Sequence, residues 1–197
     1  MESPLIAIQL LWINLVTDSF PAIALGIEPP DMNIMNKKPY TKGIFSDGLW
    51  NKIIIEGMMI GALTLLAFNI GNNLYNLEIG RTMAFIVLGL SELTHSLNIK
   101  SEESIVNKAF FNNKYLIGAI VIGTLLQVIV VIIPQTATIF RVIPLNFEQW
   151  IYTALISLAP IPIMELQKKL NNYIYGQRIY KTEEKKSRVI KKESVLY

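Results

Sequence analysis

Residues 5–26 form a run of mainly apolar side chains, Leu5-Ile-Ala-Ile-Gln-Leu-Leu-Trp-Ile-Asn-Leu-Val-Thr-Asp-Ser-Phe-Pro-Ala-Ile-Ala-Leu-Gly26, with a single carboxylate, Asp18, in its interior. A helix of about 20 such residues crosses a bilayer. A carboxylate near the membrane midplane costs roughly 2.5–3.5 kcal/mol on insertion scales, so such residues face a protein interior and mark an ion or proton path. This run therefore indicates both a membrane-spanning fold and the place to look for function.

The neighbours of Asp18 strengthen that reading. Asn14, Thr17 and Asp18 share one face of a helix with 3.6 residues per turn and present an amide oxygen, a hydroxyl and a carboxylate. All three can give oxygen to a hard cation. Pro21 has no N–H for the carbonyl of Thr17, and its ring clashes with that oxygen. The helix is therefore expected to kink or unwind beside Asp18 and free one more backbone oxygen, as the broken helices of transporters do. Asn14 and Thr17 alone would fit equally well a polar patch joining helices; Asp18 and Pro21 favour the ion site.

Hydrophobic residues make up 52% of the chain and charged residues only 17%, and mean hydropathy is +0.40. Those values suit a polytopic membrane protein better than a soluble domain. The apolar residues are blocked into five stretches, about 5–26, 49–71, 81–99, 114–133 and 147–167. The fold class expected is all-α, a polytopic membrane bundle of five transmembrane helices occupying residues 1–170, followed by a basic cytoplasmic tail over 171–197. The opening run lacks the short apolar core, basic flank and cleavage site of a signal peptide and reads as a mature span. No repeat at solenoid period stands out. The chain has no cysteine, which excludes disulfides and thiolate metal sites.

The net charge of +3 is less informative than its distribution. Lys and Arg crowd the segments 27–48, 100–113 and 168–197, whereas the opposite links carry Arg81 and Arg141. The positive-inside rule then puts the N-terminus outside and the C-terminus in the cytoplasm. Topology explains the basic excess, so a nucleic-acid partner is disfavoured; the partner expected is the lipid bilayer, with the tail resting on anionic headgroups. Segment 27–48 is rich in turn signals and reads as an ordered cytosolic loop. The outer links near 72–80 and 134–146 are short, which makes consecutive helices antiparallel neighbours.

Glu92, in Leu88-Gly-Leu-Ser-Glu-Leu-Thr-His-Ser-Leu-Asn98, is a second deep acid. Asp18 and Glu92 on separate spans could share a divalent cation. Calcium takes six to eight oxygens, more than one helix readily supplies, so a ligand from a second span is chemically expected. The competing reading of Glu92 is a structural acid bonded to a hydroxyl on a facing helix. His95, one turn later, could bind metal or carry protons, but reads first as a satisfied interior or interfacial histidine. Glu56 reads as an acid that snorkels or caps near the cytosolic end of its span. Gly57-Met-Met-Ile-Gly61 is a GxxxG pair, the pattern that lets two helices approach closely. Pro160 and Pro162 are expected to bend the last span, and Glu165 lies near the cytosolic boundary.

The stretch Gln9-Leu-Leu-Trp-Ile-Asn-Leu-Val-Thr-Asp-Ser-Phe-Pro-Ala-Ile-Ala-Leu-Gly-Ile-Glu-Pro-Pro-Asp31 resembles the sixth transmembrane helix and following loop of type II P-type cation ATPases. The calcium pumps of the sarcoplasmic-reticulum class and their bacterial relatives are the most similar. The likeness continues through Asp31-Met-Asn-Ile-Met-Asn36, the GxxxG helix, Thr82-Met-Ala84, Glu92, Leu97-Asn98 and Phe147-Glu-Gln-Trp150. It implies the last five of ten spans of such a pump. It further implies that Asn14, Thr17, Asp18 and Glu92 are ligands of transported calcium, with manganese the alternative. Ser19, where the family often has Gly, and His95, where it often has Asn, bear on ion number and selectivity.

The family's DKTG, TGE and GDGxND motifs do not occur in these residues. The resemblance therefore assigns ATP and Mg²⁺ to cytosolic domains in a missing N-terminal half, the second expected partner, and the chain alone should be inactive as an ATPase. The location implied is the plasma membrane of a bacterium. Two other functions fit the same residues: a non-enzymatic membrane subunit or scaffold with an inherited cation site, and a pump portion specific for manganese or another cation. A secondary antiporter is disfavoured, since no inverted repeat is evident.

Overall fold

The computed structural model describes residues 3–27, 49–99 and 113–170. Among them there are helices and no strands. Helix α1 is Ala7–Gly26, α2 is Leu49–Leu74, α3 is Leu77–Ile99, α4 is Lys114–Ile132, α5 is Pro134–Phe140 and α6 is Phe147–Leu158. After a turn at Ala159 the chain is helical again over residues 160–170, here α7.

Helices α1, α2 and α4 are each long and apolar enough to cross a membrane, and they coincide with three of the five expected spans. The other two stretches are helical without meeting that description. In α3 the length suffices, but Thr82, Ser91, Glu92, His95, Ser96 and Asn98 interrupt the apolar residues. In the last stretch the turn at Ala159, just ahead of Pro160, divides the helix into two shorter pieces, as the missing N–H of proline requires. The turn-rich loop, the basic tail from 171 and nearly all of the link 100–113 lie outside the described residues.

Helix α3 is the axis of the bundle. Met83, Ala84, Phe85, Ile86, Val87 and Leu93 are fully buried, and α3 packs against α1, α2, α4 and α6. Two apolar clusters hold it. Ala67, Met83 and Val87 join α2 to α3 and gather Tyr152 and Ile156 of α6. Ile13, Phe85, Ile86, Val130, Val131 and Phe140 join α1, α3, α4 and α5. Within the second cluster the Phe140 ring stacks on Phe85 at 6.1 Å between centroids and receives the edge of Trp12 at 5.1 Å, arrangements that aromatic quadrupoles favour.

Asparagines start the helices. Asn76 Oδ1 accepts the N–H of Ile79 at 2.9 Å and Asn113 Oδ1 that of Leu116 at 2.9 Å. Asn146 and Gln149 form a reciprocal box at the start of α6, with each side chain accepting the other's N–H. The 134–146 link is not a plain loop: it contains α5, with Pro134 in its first turn and Arg141 closing it in the left-handed region at φ 50°. The N–H of Ile143 then donates to Thr82 Oγ1 at 3.1 Å, fixing the link to α3.

The link between α2 and α3 is only Tyr75-Asn76, so the two helices are antiparallel neighbours as expected. What lets them touch is different from the expectation. A Cβ on Gly71 would lie 2.6 Å from Gly80 Cα, and one on Gly80 would lie 2.8 Å from the Phe68 carbonyl. The GxxxG residues Gly57 and Gly61 have no atom of another helix within 4 Å of a Cβ position. The GxxxG pair thus packs on none of the described residues, and the close crossing belongs to Gly71 and Gly80 beside the turn.

Gly71→Val should accordingly destabilise this chain by about 1–3 kcal/mol through forced separation of α2 and α3. Gly57→Val should stay within about 0.5 kcal/mol of the parent. Thermal unfolding in detergent followed by circular dichroism checks the pair, and equal effects at both positions would contradict the packing described.

Candidate cation site

Helix α1 does not unwind beside Asp18, contrary to the expectation drawn from Pro21. Residues Ile13–Asp18 instead form a π-helical segment, in which hydrogen bonds step over one more residue than in an α-helix. Asp18 and Ser19 keep right-handed helical dihedrals, φ −90° ψ −45° and φ −68° ψ −40°. The extra residue in the turn relieves the clash between the Pro21 ring and the carbonyl before it while the chain stays helical. Hydroxyls serve the altered backbone: Thr17 Oγ1 lies 2.8 Å from the Ile13 carbonyl, and Ser19 Oγ donates to the Asn14 carbonyl at 3.1 Å.

Three of the four candidate ligands meet where the π segment crosses α3. Thr17 is buried, and its Oγ1 lies 3.0 Å from Glu92 Oε2. Its single proton can go to either the Ile13 carbonyl or Glu92, so the hydroxyl adapts to the state of the acid. The carboxyl groups of Asp18 and Glu92 lie close enough to interact across the same crossing. Two carboxyl groups so close share a proton or a cation, because two unshielded negative charges repel strongly in a medium of low dielectric. Glu92 is half-buried and Asp18 exposed.

Asn14 is the fourth. It stands one turn before Asp18, also exposed, and its side-chain amide makes no hydrogen bond to the described residues. Asn14 and Asp18 thus present a polar strip on the outside of the described bundle, while Thr17 and Glu92 face each other within it. Among the described residues no three acids or histidines gather at one point, so the charge available here is that of the two carboxyl groups.

A second polar pair was not singled out from the sequence. Glu56 neither snorkels nor caps: it is buried on α2 and its Oε2 lies 3.2 Å from Nε2 of His95 on α3, also buried. The signal was available, since Glu56 and His95 lie equally far along the chain from the Tyr75-Asn76 turn and an antiparallel hairpin brings such positions level. Two glutamines also hold the site's frame. Gln127 of α4 donates from Nε2 to the Phe85 carbonyl and accepts from Trp12 Nε1, both at 3.0 Å. Gln9 donates from Nε2 to the Phe140 carbonyl at 3.0 Å.

The described residues thus form a helical bundle with three candidate membrane spans in which acids of two helices approach beside a π-helical turn. The sequence comparisons name the family. Residues 2–170 match the family described as cation transporting ATPase, C-terminus, and the chain belongs to this C-terminal region of the P-type ATPases. It is 37% identical over 185 residues to calcium-transporting ATPase 1 of Bacillus cereus, covering 84% of this chain and 21% of that protein. It is 37% identical over 171 residues to the calcium-transporting ATPase of Bacillus subtilis, covering 85% and 19%. A calcium-transporting ATPase of Listeria monocytogenes is 35% identical over 178 residues, covering 88% and 20%. The chain spans about a fifth of the length of these curated relatives.

The hydrogen-bonded link between Thr17 and Glu92 should be measurable. A double-mutant cycle of Thr17→Val and Glu92→Gln in this chain should give a coupling energy of about 0.5–1.5 kcal/mol by thermal or denaturant unfolding in detergent. Additive effects of the two substitutions would mean that α1 and α3 do not meet through these side chains.

Proposed function

We propose that this chain forms the C-terminal membrane portion of an ATP-driven calcium pump and supplies ligands to the transported ion from Asn14, Thr17, Asp18 and Glu92. The observation that carries the reading is the meeting of Thr17, Asp18 and Glu92 where the π segment of α1 crosses α3. The names of the bacterial relatives support calcium as the cargo.

The donor chemistry fits. Two carboxyl groups balance a divalent charge, and the hydroxyl and amide oxygens are hard donors of the kind calcium takes. Six to eight oxygens exceed what these four side chains readily give, and the outward strip of Asn14 and Asp18 is the place where further oxygens complete the shell. Those come from the portion of a pump of the relatives' length that this chain does not span. The same portion carries the ATP and Mg²⁺ chemistry. Entry of the cation separates the Asp18 and Glu92 carboxyl groups from each other and turns their oxygens to the ion; its release lets them share a proton again. The π segment suits such a site because its hydrogen bonds already depart from α-helical register, so a small shift at Asp18 disrupts little.

In the same reading residues 1–170 form five spans, with α3 and the α6–α7 pair crossing alongside α1, α2 and α4, the N-terminus outside and the basic tail from 171 in the cytoplasm. The membrane is the plasma membrane of a bacterium. Loop 27–48 faces the cytoplasm and meets the phosphorylation domain.

In the full-length pump, Asp18→Asn should abolish calcium-activated phosphorylation by ATP while phosphorylation from inorganic phosphate persists. Glu92→Gln should raise the calcium concentration needed for half-activation about tenfold or more and leave some transport. Radiolabelled phosphoenzyme formation across a calcium titration reads both, and parental calcium dependence in the Asp18→Asn pump would remove the central assignment.

A further inference from the structure

The Glu56–His95 pair belongs to a cluster that the cation site does not use. Glu56, Ser91, His95 and Asn98 are all more than nine-tenths buried. Five of their side-chain polar atoms, Glu56 Oε1, Ser91 Oγ, His95 Nδ1 and both Asn98 amide atoms, have no hydrogen-bond partner among the described residues. Buried polar atoms left this way are costly, a charged group most of all. Native interiors meet that cost with ordered water where the site is polar enough to give each water two to four partners. Four polar side chains gathered at one helix contact meet that condition.

Their placement gives the cluster a direction. Ser91, His95 and Asn98 follow each other at spacings of four and three along one face of α3. Asn98 is the last residue but one of that helix, and Glu56 stands two turns inside the start of α2. Because α2 and α3 are antiparallel, both positions approach the same end of the bundle. A buried carboxylate and imidazole, with an amide one turn nearer that end, are groups through which a proton can enter the interior of a helical bundle.

We propose that Glu56 and His95 form a proton-binding site in the α2–α3 contact, connected through the Asn98 amide to solvent at the end of the bundle where α2 begins and α3 ends. With Nε2–H donating to Glu56 Oε2, the lone pair of His95 Nδ1 is open. A hydronium ion gives its proton to Nδ1 and becomes water. The imidazolium so formed is held by the Glu56 carboxylate, to which its Nε2–H still donates. One proton has been taken up, and the reverse steps release it.

The charged groups around the pair are few. Helix α2 also carries Lys52, one turn before Glu56; α3 carries Glu92, one turn before His95. From α1 comes Asp18, which is engaged with Glu92. Helix α4 contributes Lys114 at its start, and α7 contributes Lys169 together with Glu165 and Lys168, paired at 3.6 Å. The only acid of α6, Glu148, is bonded to Tyr152 toward the far end. Among the described residues Glu56 is the one charged group shown in direct contact with the imidazole.

His95 is the single histidine of the chain, so one imidazole signal reports the site. The chain, labelled with ring ¹⁵N-histidine and reconstituted in phosphatidylcholine vesicles, should give solid-state NMR resonances that move reversibly between neutral and imidazolium positions as bulk pH is varied. Glu56→Gln removes the adjacent negative charge and should lower the imidazolium fraction about tenfold at the pH where the parent is half-protonated, as loss of a close opposite charge does. An imidazole locked in one state as pH is varied in the parent chain overturns the proposal without reference to any variant. So does an unchanged titration in a Glu56→Gln chain of parental helix content. Neither readout depends on cation transport, so it can fail while the pump reading stands.

Discussion

Everything polar in this bundle depends on α3 being surrounded. A helix that carries Thr82, Ser91, Glu92, His95, Ser96 and Asn98 needs neighbours that can partner those groups, because each one left unsatisfied in apolar surroundings costs several kcal/mol. Enclosed by α1, α2, α4 and α6, it can face protein on every side. The apolar helices are the outer ones, and their exposed residues such as Leu65, Leu66, Val121, Ile122 and Leu125 are of the kind that meets lipid. The central helix is thus less apolar than α1, α2 and α4, the three helices apolar enough to cross a membrane.

With α3 held, what matters is how its polar groups are divided between neighbours. Toward α1 it presents Glu92 to Thr17 and Asp18; toward α2 it presents His95 to Glu56; toward α6 Thr94 Oγ1 reaches the Ser157 carbonyl at 2.9 Å. These contacts differ in how well they are satisfied. Thr94 has two carbonyl acceptors within reach for one proton. The Glu56–His95 contact leaves polar atoms without partners on both residues. Satisfied groups fix helices in place, whereas unsatisfied ones invite water, ions or protons, and this difference separates the scaffold of the bundle from its chemistry.

The sequence made the outer helices and the carboxylates of α1 and α3 legible for one reason: each was a sharp exception to its surroundings. Apolar runs in α1, α2 and α4 have no other plausible solvent than lipid, and an Asp inside one is conspicuous. Glu92 was found the same way. Glu56 was passed over because it lay close enough to a helix end for snorkelling to explain it, and only the register of the α2–α3 hairpin, set by a two-residue turn, brings it level with His95. The GxxxG pattern misled because spacing within one helix says nothing about which face the partner occupies; Gly71 and Gly80, on different helices, have no common spacing to detect. Pro21 was rightly read as incompatible with a regular α-helix there, but a missing N–H can be accommodated by widening the turn as well as by unwinding it, and local sequence does not choose between them.

The π segment also explains why two glutamines sit in otherwise apolar helices. A widened turn loses α-helical register and so needs its flanks fixed by something other than its own backbone. Gln9 precedes the segment and ties α1 to the end of α5 through the Phe140 carbonyl. Gln127 reaches from α4 to Trp12, the residue immediately before the segment, and to the Phe85 carbonyl of α3. Its amide lies where a Cβ on Gly89 would come within 3.0 Å, so α3 is cut away to receive it. Asn113 closes the other flank by donating to the Ala24 carbonyl at 3.1 Å. The helix is therefore anchored on both sides of Asp18 by amide side chains from α4 and its cap, and the freedom left between those anchors is confined to the few residues that carry the oxygens.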